Sequence, residues 1–134
     1  RREGRSGLAI LVFGTLLSKV EPVAQQLDAT LVNMRYIKPL DTNLLRELAA
    51  RHTGFITIEE NTIAGGAGSA VAEALAEFGI TLPMHHIGIP DRFIEHGSRD
   101  DCLEAAGLHA AGLNQQIHAW WSSQAPTQLM AKGN

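Results

Sequence analysis

The chain has one cysteine, Cys102, in 134 residues. No internal disulfide can therefore form, and a reducing, cytoplasmic setting is expected. Long apolar runs are also missing. The longest, residues 8–13, falls far short of the roughly 20 residues a membrane-spanning helix needs, so no membrane partner is expected. Charge of one sign is scarce: the net charge is −3 and Lys and Arg are dispersed, which leaves no basic footprint for nucleic acid. The chain opens on Arg1 rather than Met and shows no recognisable signal or transit peptide, as expected of a fragment or a processed product. Neither C-x-x-C nor H-x-x-x-H spacing occurs among Cys102 and the six histidines, so no zinc site is expected. What remains is 45% hydrophobic and 19% charged, the composition of a soluble globular domain with a core of its own.

Hydrophobic patterning alternates between strand and helix. Residues 8–13, LAILVF, followed by Gly14, read as a central strand buried on both faces. Leu16, Val20, Val23 and Leu27 recur at helical spacing; Ser18 with Glu21 suits a capping box, and Pro22 keeps the start of that helix near Ser18. Residues 30–37 predict a second strand, stopped by Pro39. Asp41 is placed to cap a helix whose apolar face is Leu44, Leu45, Leu48 and Ala49, with Leu40 stapling onto Leu45. Residues 55–58 predict a third strand; Val71, Ala74, Leu75 and Phe78 share one face of a helix opening at Ser69 and ending at Gly79. A fourth strand over 84–89, a short helix over 98–106 and a last helix carrying Leu113, Ile117, Trp120 and Trp121 complete the order. The domain is expected over residues 1–121, with a frayed tail over 122–134. Strands and helices in alternation over short connections predict a mostly parallel sheet in a three-layer α/β/α sandwich.

The segment FITIEENTIAGGAGSAVAEAL, residues 55–75, concentrates the chemistry. Strand, two acids, a glycine cluster and a helix start together suggest an active site, since helix N-termini attract anions. The details point elsewhere. Gly65, Gly66, Gly68 and Ser69 match neither a dinucleotide fingerprint nor a nucleophile elbow, and no Lys follows to make a P-loop. A tight strand-to-helix crossing capped by Ser69 is the structural reading; a small-anion or regulatory-ligand site at the same helix start is the alternative. Glu59 and Glu60, adjacent in a strand, point to opposite faces and cannot form a facing pair. One of them is placed to reach back to the glycine-loop amides. His85 and His86 diverge for the same reason, while His52 and His109 flank helix ends as caps or surface groups. Arg92, Glu95, His96, Arg99 and Asp100, with the apolar Phe93 and Ile94 among them, read as a second candidate loop, best suited to contact with a neighbouring domain.

Three blocks in order, NMRYIKPLD (33–41), TIEENTIAGGAGSAVAEAL (57–75) and IGIPDRFIEHG (87–97), resemble the C-terminal domain of the 1-deoxy-D-xylulose-5-phosphate synthases, within the wider transketolase C-terminal family. The resemblance runs from Leu8 to Trp121. The first two blocks are shared loosely with transketolases and 2-oxo-acid dehydrogenase E1 subunits, which remain an alternative; the third is more particular to the synthases. His109, in AGLHAAGL, stands where the family commonly has a capping Asp. The resemblance implies a sheet of about five strands, one of them an antiparallel edge strand of which Arg1 and Arg2 would be the trailing end. It implies a full-length transferase that condenses pyruvate with D-glyceraldehyde 3-phosphate and releases CO₂, for isoprenoid, thiamine and pyridoxal precursors. Thiamine diphosphate and Mg²⁺ would serve that enzyme between two domains outside this chain. Its partners would be those domains and a second subunit of a homodimer. No catalytic, cofactor-binding or metal-binding residue is carried onto this sequence.

Overall fold

The strand β1 (Leu8–Phe13) is buried along its whole length because it has neighbours on every side. It pairs in parallel with β2 (Thr30–Asn33), Ala9 opposite Thr30, and with β3 (Gly54–Thr62), Leu8 opposite Gly54. A fourth parallel strand, β4 (Met84–Ile89), lies outside β3, giving the order β2-β1-β3-β4. The computed structural model describes residues 2–34, 40–62, 66–89 and 108–124, without the side chains of 60–62 and 89. The expected strand residues 35–37, the helix over 98–106, the loop over 91–97, Cys102 and the tail beyond 124 lie outside them.

Alternation along β1 divides the core into two layers. Leu8, Ile10 and Val12 pack with helices α1 (Leu17–Gln26) and α4 (Ala110–Ser123), through Val20, Val23, Leu113, Ile117 and Trp121. Ala9, Leu11 and Phe13 face helices α2 (Thr42–Arg51) and α3 (Ala67–Glu77), through Leu45, Leu48, Val71 and Leu75. The three-layer sandwich is as expected. The antiparallel element is represented among the described residues by one bridge: Arg2 and Leu31 exchange both backbone hydrogen bonds at 2.9 Å on the outer edge of β2.

That bridge begins a strap. The Arg2 guanidinium donates to the Ala29 carbonyl at 2.6 Å and to Asp28 Oδ1 at 3.2 Å. Asp28 turns the chain at φ +49°, and its carbonyl accepts from the amides of Arg5 and Ser6. Gly4 lies so close that a Cβ there would sit 2.2 Å from the Asp28 carbonyl oxygen. Its amide donates to Thr30 Oγ1 at 3.0 Å, and that oxygen also bonds His52 Nε2 at 2.7 Å. His52 Nδ1 in turn donates to the Leu48 carbonyl at 2.7 Å. A carbonyl only accepts, so this ring nitrogen carries a hydrogen. His52 is thus a buried link between the end of α2 and the strap, not a surface group.

Several helix ends differ from the sequence reading. Asp41 caps α2 as expected, accepting from the Leu44 amide at 3.0 Å. No capping box forms at Ser18, however: α1 starts one residue earlier, behind Leu16, with no side-chain cap. Leu16 is only 1% exposed, and burying it outweighs the smaller gain of a polar cap. Pro22 sits inside α1 on its exposed side, where water can reach the carbonyl left unpaired by the missing N–H. Gly79, at φ +72°, ends α3 by the amides of Gly79 and Ile80 donating to the carbonyls of Ala76 and Leu75. Phe78 is not on the buried face; it is 40% exposed, beneath the Arg46 guanidinium at 4.9 Å.

Candidate functional site

Successive connections leave β1 and β3 in opposite directions, one towards β2 and the other towards β4. In doubly wound sheets the crevice beyond the carboxyl ends of such a pair is where ligands bind. Glu59 stands in it. The residue pairs in register with Phe13 of β1 and belongs to the alternate set Phe55, Thr57, Glu59, on the side of α2 and α3. The strand runs four residues beyond the expected Ile58, through both acids to Thr62, with its pairing to β4 shifted between Ile58 and Thr62.

The Glu59 side chain is 2% exposed. Its two oxygens accept from the first turn of α3: Oε1 from the Ala67 amide at 3.1 Å and Oε2 from the Gly68 amide at 2.7 Å. The helix begins behind Gly66, whose extended backbone has no side chain to offer as a cap. The capping carboxylate is supplied instead by the preceding strand, where its negative charge also complements the positive end of the helix dipole. Ser69, expected as the cap, is the third residue of α3 and does not cap it. The helix starts two residues earlier than the sequence suggests because Glu59 has already satisfied the amides a Ser69 cap would have left outside it.

Thr57, which the sequence did not single out, and His86, read there only as diverging from His85, complete the cluster. His86 of β4 lies opposite Thr57 in register, and Thr57 Oγ1 and His86 Nδ1 share a hydrogen bond of 2.6 Å. Gly68 packs against both: a Cβ there would meet His86 Nδ1 at 2.5 Å and Thr57 Oγ1 at 2.7 Å. Glycine is needed here for close approach, which its place in a glycine-rich run hinted at without naming the neighbours. Burial lowers the His86 pKa from its usual value, and the Glu59 carboxylate opposes part of that shift. His85 faces the other layer and stacks on Trp120, ring centroids 5.7 Å apart and planes 14° from parallel. Burial lowers its pKa as well, and the neighbouring His86 adds to the effect.

Of the remaining candidates, Gly66 is the backbone cap, Gly65 lies outside the described residues, and Glu60 contributes its backbone to β3. Among the described residues no three His, Cys, Asp or Glu side chains gather as a metal site, and no helix is long and apolar enough to cross a membrane. At the cluster the start of α3 is occupied by the chain's own carboxylate, Glu59. It holds one strand to one helix.

The chain belongs to the transketolase C-terminal domain family, whose model, "Transketolase, C-terminal domain", matches residues 1–113. Within it, the sequence is similar to proteins named 1-deoxy-D-xylulose-5-phosphate synthase. It is 55% identical over 119 residues to that of Thioalkalivibrio sulfidiphilus, covering 89% of this chain and 18% of the relative. Identity to the synthase of Bordetella parapertussis is 54% over 119 residues, with 89% and 19% covered. With the synthase of Acidovorax sp. the match is 50% over 131 residues, 98% of this chain and 21% of the relative. The chain thus spans about a fifth of the length of these relatives. A solved structure titled "Split gene transketolase, inactive beta4 tetramer" superposes with a TM-score of 0.76 at 32% identity, over 88% of this chain and 40% of that one.

Proposed function

We propose that the chain is the C-terminal domain of a 1-deoxy-D-xylulose-5-phosphate synthase and acts there as a non-catalytic scaffold. It packs against the other domains of the enzyme and supports a homodimer in the cytoplasm. The whole enzyme joins pyruvate to D-glyceraldehyde 3-phosphate with loss of CO₂, using thiamine diphosphate as the carbanion stabiliser with Mg²⁺ on its diphosphate. Sequence identity of about half across most of the chain supports the assignment to the synthases.

One observation carries the non-catalytic reading. The crevice where a doubly wound sheet would present its helix amides to a phosphate is closed by Glu59, which takes the amides of Ala67 and Gly68. A diphosphate would have to displace a buried carboxylate from two charge-assisted hydrogen bonds. The same occupancy removes support from a small-anion or regulatory-ligand site at Gly65, Gly66, Gly68 and Ser69.

The test is a thermal-shift titration of the chain with thiamine diphosphate and Mg²⁺. A ligand stabilises a fold only by binding it, so the expected result is an unchanged Tm at millimolar cofactor. A rise that saturates with concentration overturns the proposal.

A further inference from the structure

Glu59, Thr57, Gly68 and His86 meet at one point, where the scaffold reading gives only the carboxylate a task. The Glu59 carboxylate is held by the Ala67 and Gly68 amides, Gly68 is packed on the His86 ring, and that ring is bonded to Thr57. We infer that these residues form a proton-linked joint, in which protonation of His86 loosens the grip of Glu59 on the first turn of α3.

Hydrogen-bond polarity and charge both change when the ring gains a proton. A protonated imidazole carries hydrogen on both nitrogens, so Nδ1 must then donate and Thr57 Oγ1 accept. The Thr57 hydroxyl hydrogen must then turn away from the ring. The imidazolium also stands beside the positive end of α3, where a cation is unfavourable. Its favourable partner is Glu59, and it competes with the two peptide N–H groups for that carboxylate.

Among the described residues no other charge near the ring disguises the effect. Strand β3 presents Thr57 and Glu59 on this face, and the first two turns of α3 carry no ionisable group before the exposed Glu73. On β4 the neighbouring ring, His85, faces the opposite layer against Trp120. On α2, Glu47 pairs with Arg51 at 2.6 Å and Arg46 lies over Phe78, both at the surface. Among the described residues Glu59 is thus the charge that acts on His86, against the larger effect of burial.

The experiment is an NMR pH titration of the 134-residue chain, following the His86 ring and the amides of Ala67 and Gly68. The expected result is that both amides titrate with the His86 midpoint, moving upfield and exchanging faster with solvent as His86 gains its proton. In Glu59→Gln the His86 midpoint falls by about half a pH unit or more, because a nearby opposite charge has been removed. Amides that do not follow His86, or that become better protected as it is protonated, overturn the inference. So does an unchanged His86 midpoint in Glu59→Gln. If that variant does not fold, the wild-type titration decides the question alone, and Thr57→Val supplies a second check by removing the hydroxyl and leaving the charge.

Discussion

At the scale of the residue, Glu59 is the side chain with most at stake. Replacing it by Ala leaves two buried peptide N–H groups unpaired and removes two hydrogen bonds to a charged acceptor. Urea denaturation should show a loss of about 2–4 kcal/mol. Gly68→Ala sets two effects against each other. Alanine gains about 1 kcal/mol of helix propensity, but its methyl would press on His86 and Thr57 at cost of about 1–3 kcal/mol. The expected result is a net loss, partly recovered in Gly68→Ala/His86→Ala, with the coupling read from a double-mutant cycle. The two residues differ in how far the sequence revealed them. Strand alternation alone sends Glu59 to one face and makes it a candidate for the glycine-loop amides. His86 is invisible as a partner until the register of β4 on β3 is known, because nothing local says that residue 86 stands opposite residue 57.

At the scale of the element, strands and helices follow from hydrophobic period, whereas their ends depend on groups far away in sequence. Asp41 caps α2 by a local rule and was legible. Ser18 and Ser69 obey the same rule on paper and do not cap, because the buried anchor Leu16 and the remote carboxylate Glu59 set those starts instead. Helix α4 shows the rule left unused. His109 occupies its cap position with extended backbone and makes no side-chain capping bond. His109→Asp should therefore raise stability by about 0.5–2 kcal/mol, seen as a higher urea midpoint at unchanged slope. At the other end of α3, Gly79 has open space around it and φ of +72°. Gly79→Ala should cost about 1 kcal/mol from backbone conformation alone, with no packing penalty.

At the scale of the whole molecule, acid sensitivity follows from the two histidines of β4. Both have pKa values lowered in the fold, chiefly by burial. Below the ordinary histidine value of about 6.5, the unfolded chain binds protons that the folded chain refuses, so stability rises with pH across that window. The contribution is present above about pH 6.5 and is lost as pH falls through the folded values. The urea midpoint should drop on going from about pH 7 to about pH 5, and drop less in His86→Gln. The layered architecture was legible in the sequence, since strand and helix periods alternate cleanly. The strand order was not: it depends on β3 choosing the free edge of β1 over that of β2, which no local pattern announces. That choice has a kinetic consequence. Strand β1, apolar on both faces, can pair early with its chain neighbour β2, but its other edge waits for Gly54 to find Leu8 across all of α1, β2 and α2. Long-range pairing of this kind is slow, and the waiting edge is open to a second chain. Refolding yield after dilution from denaturant should therefore fall as chain concentration rises, and recover when the dilution is made larger.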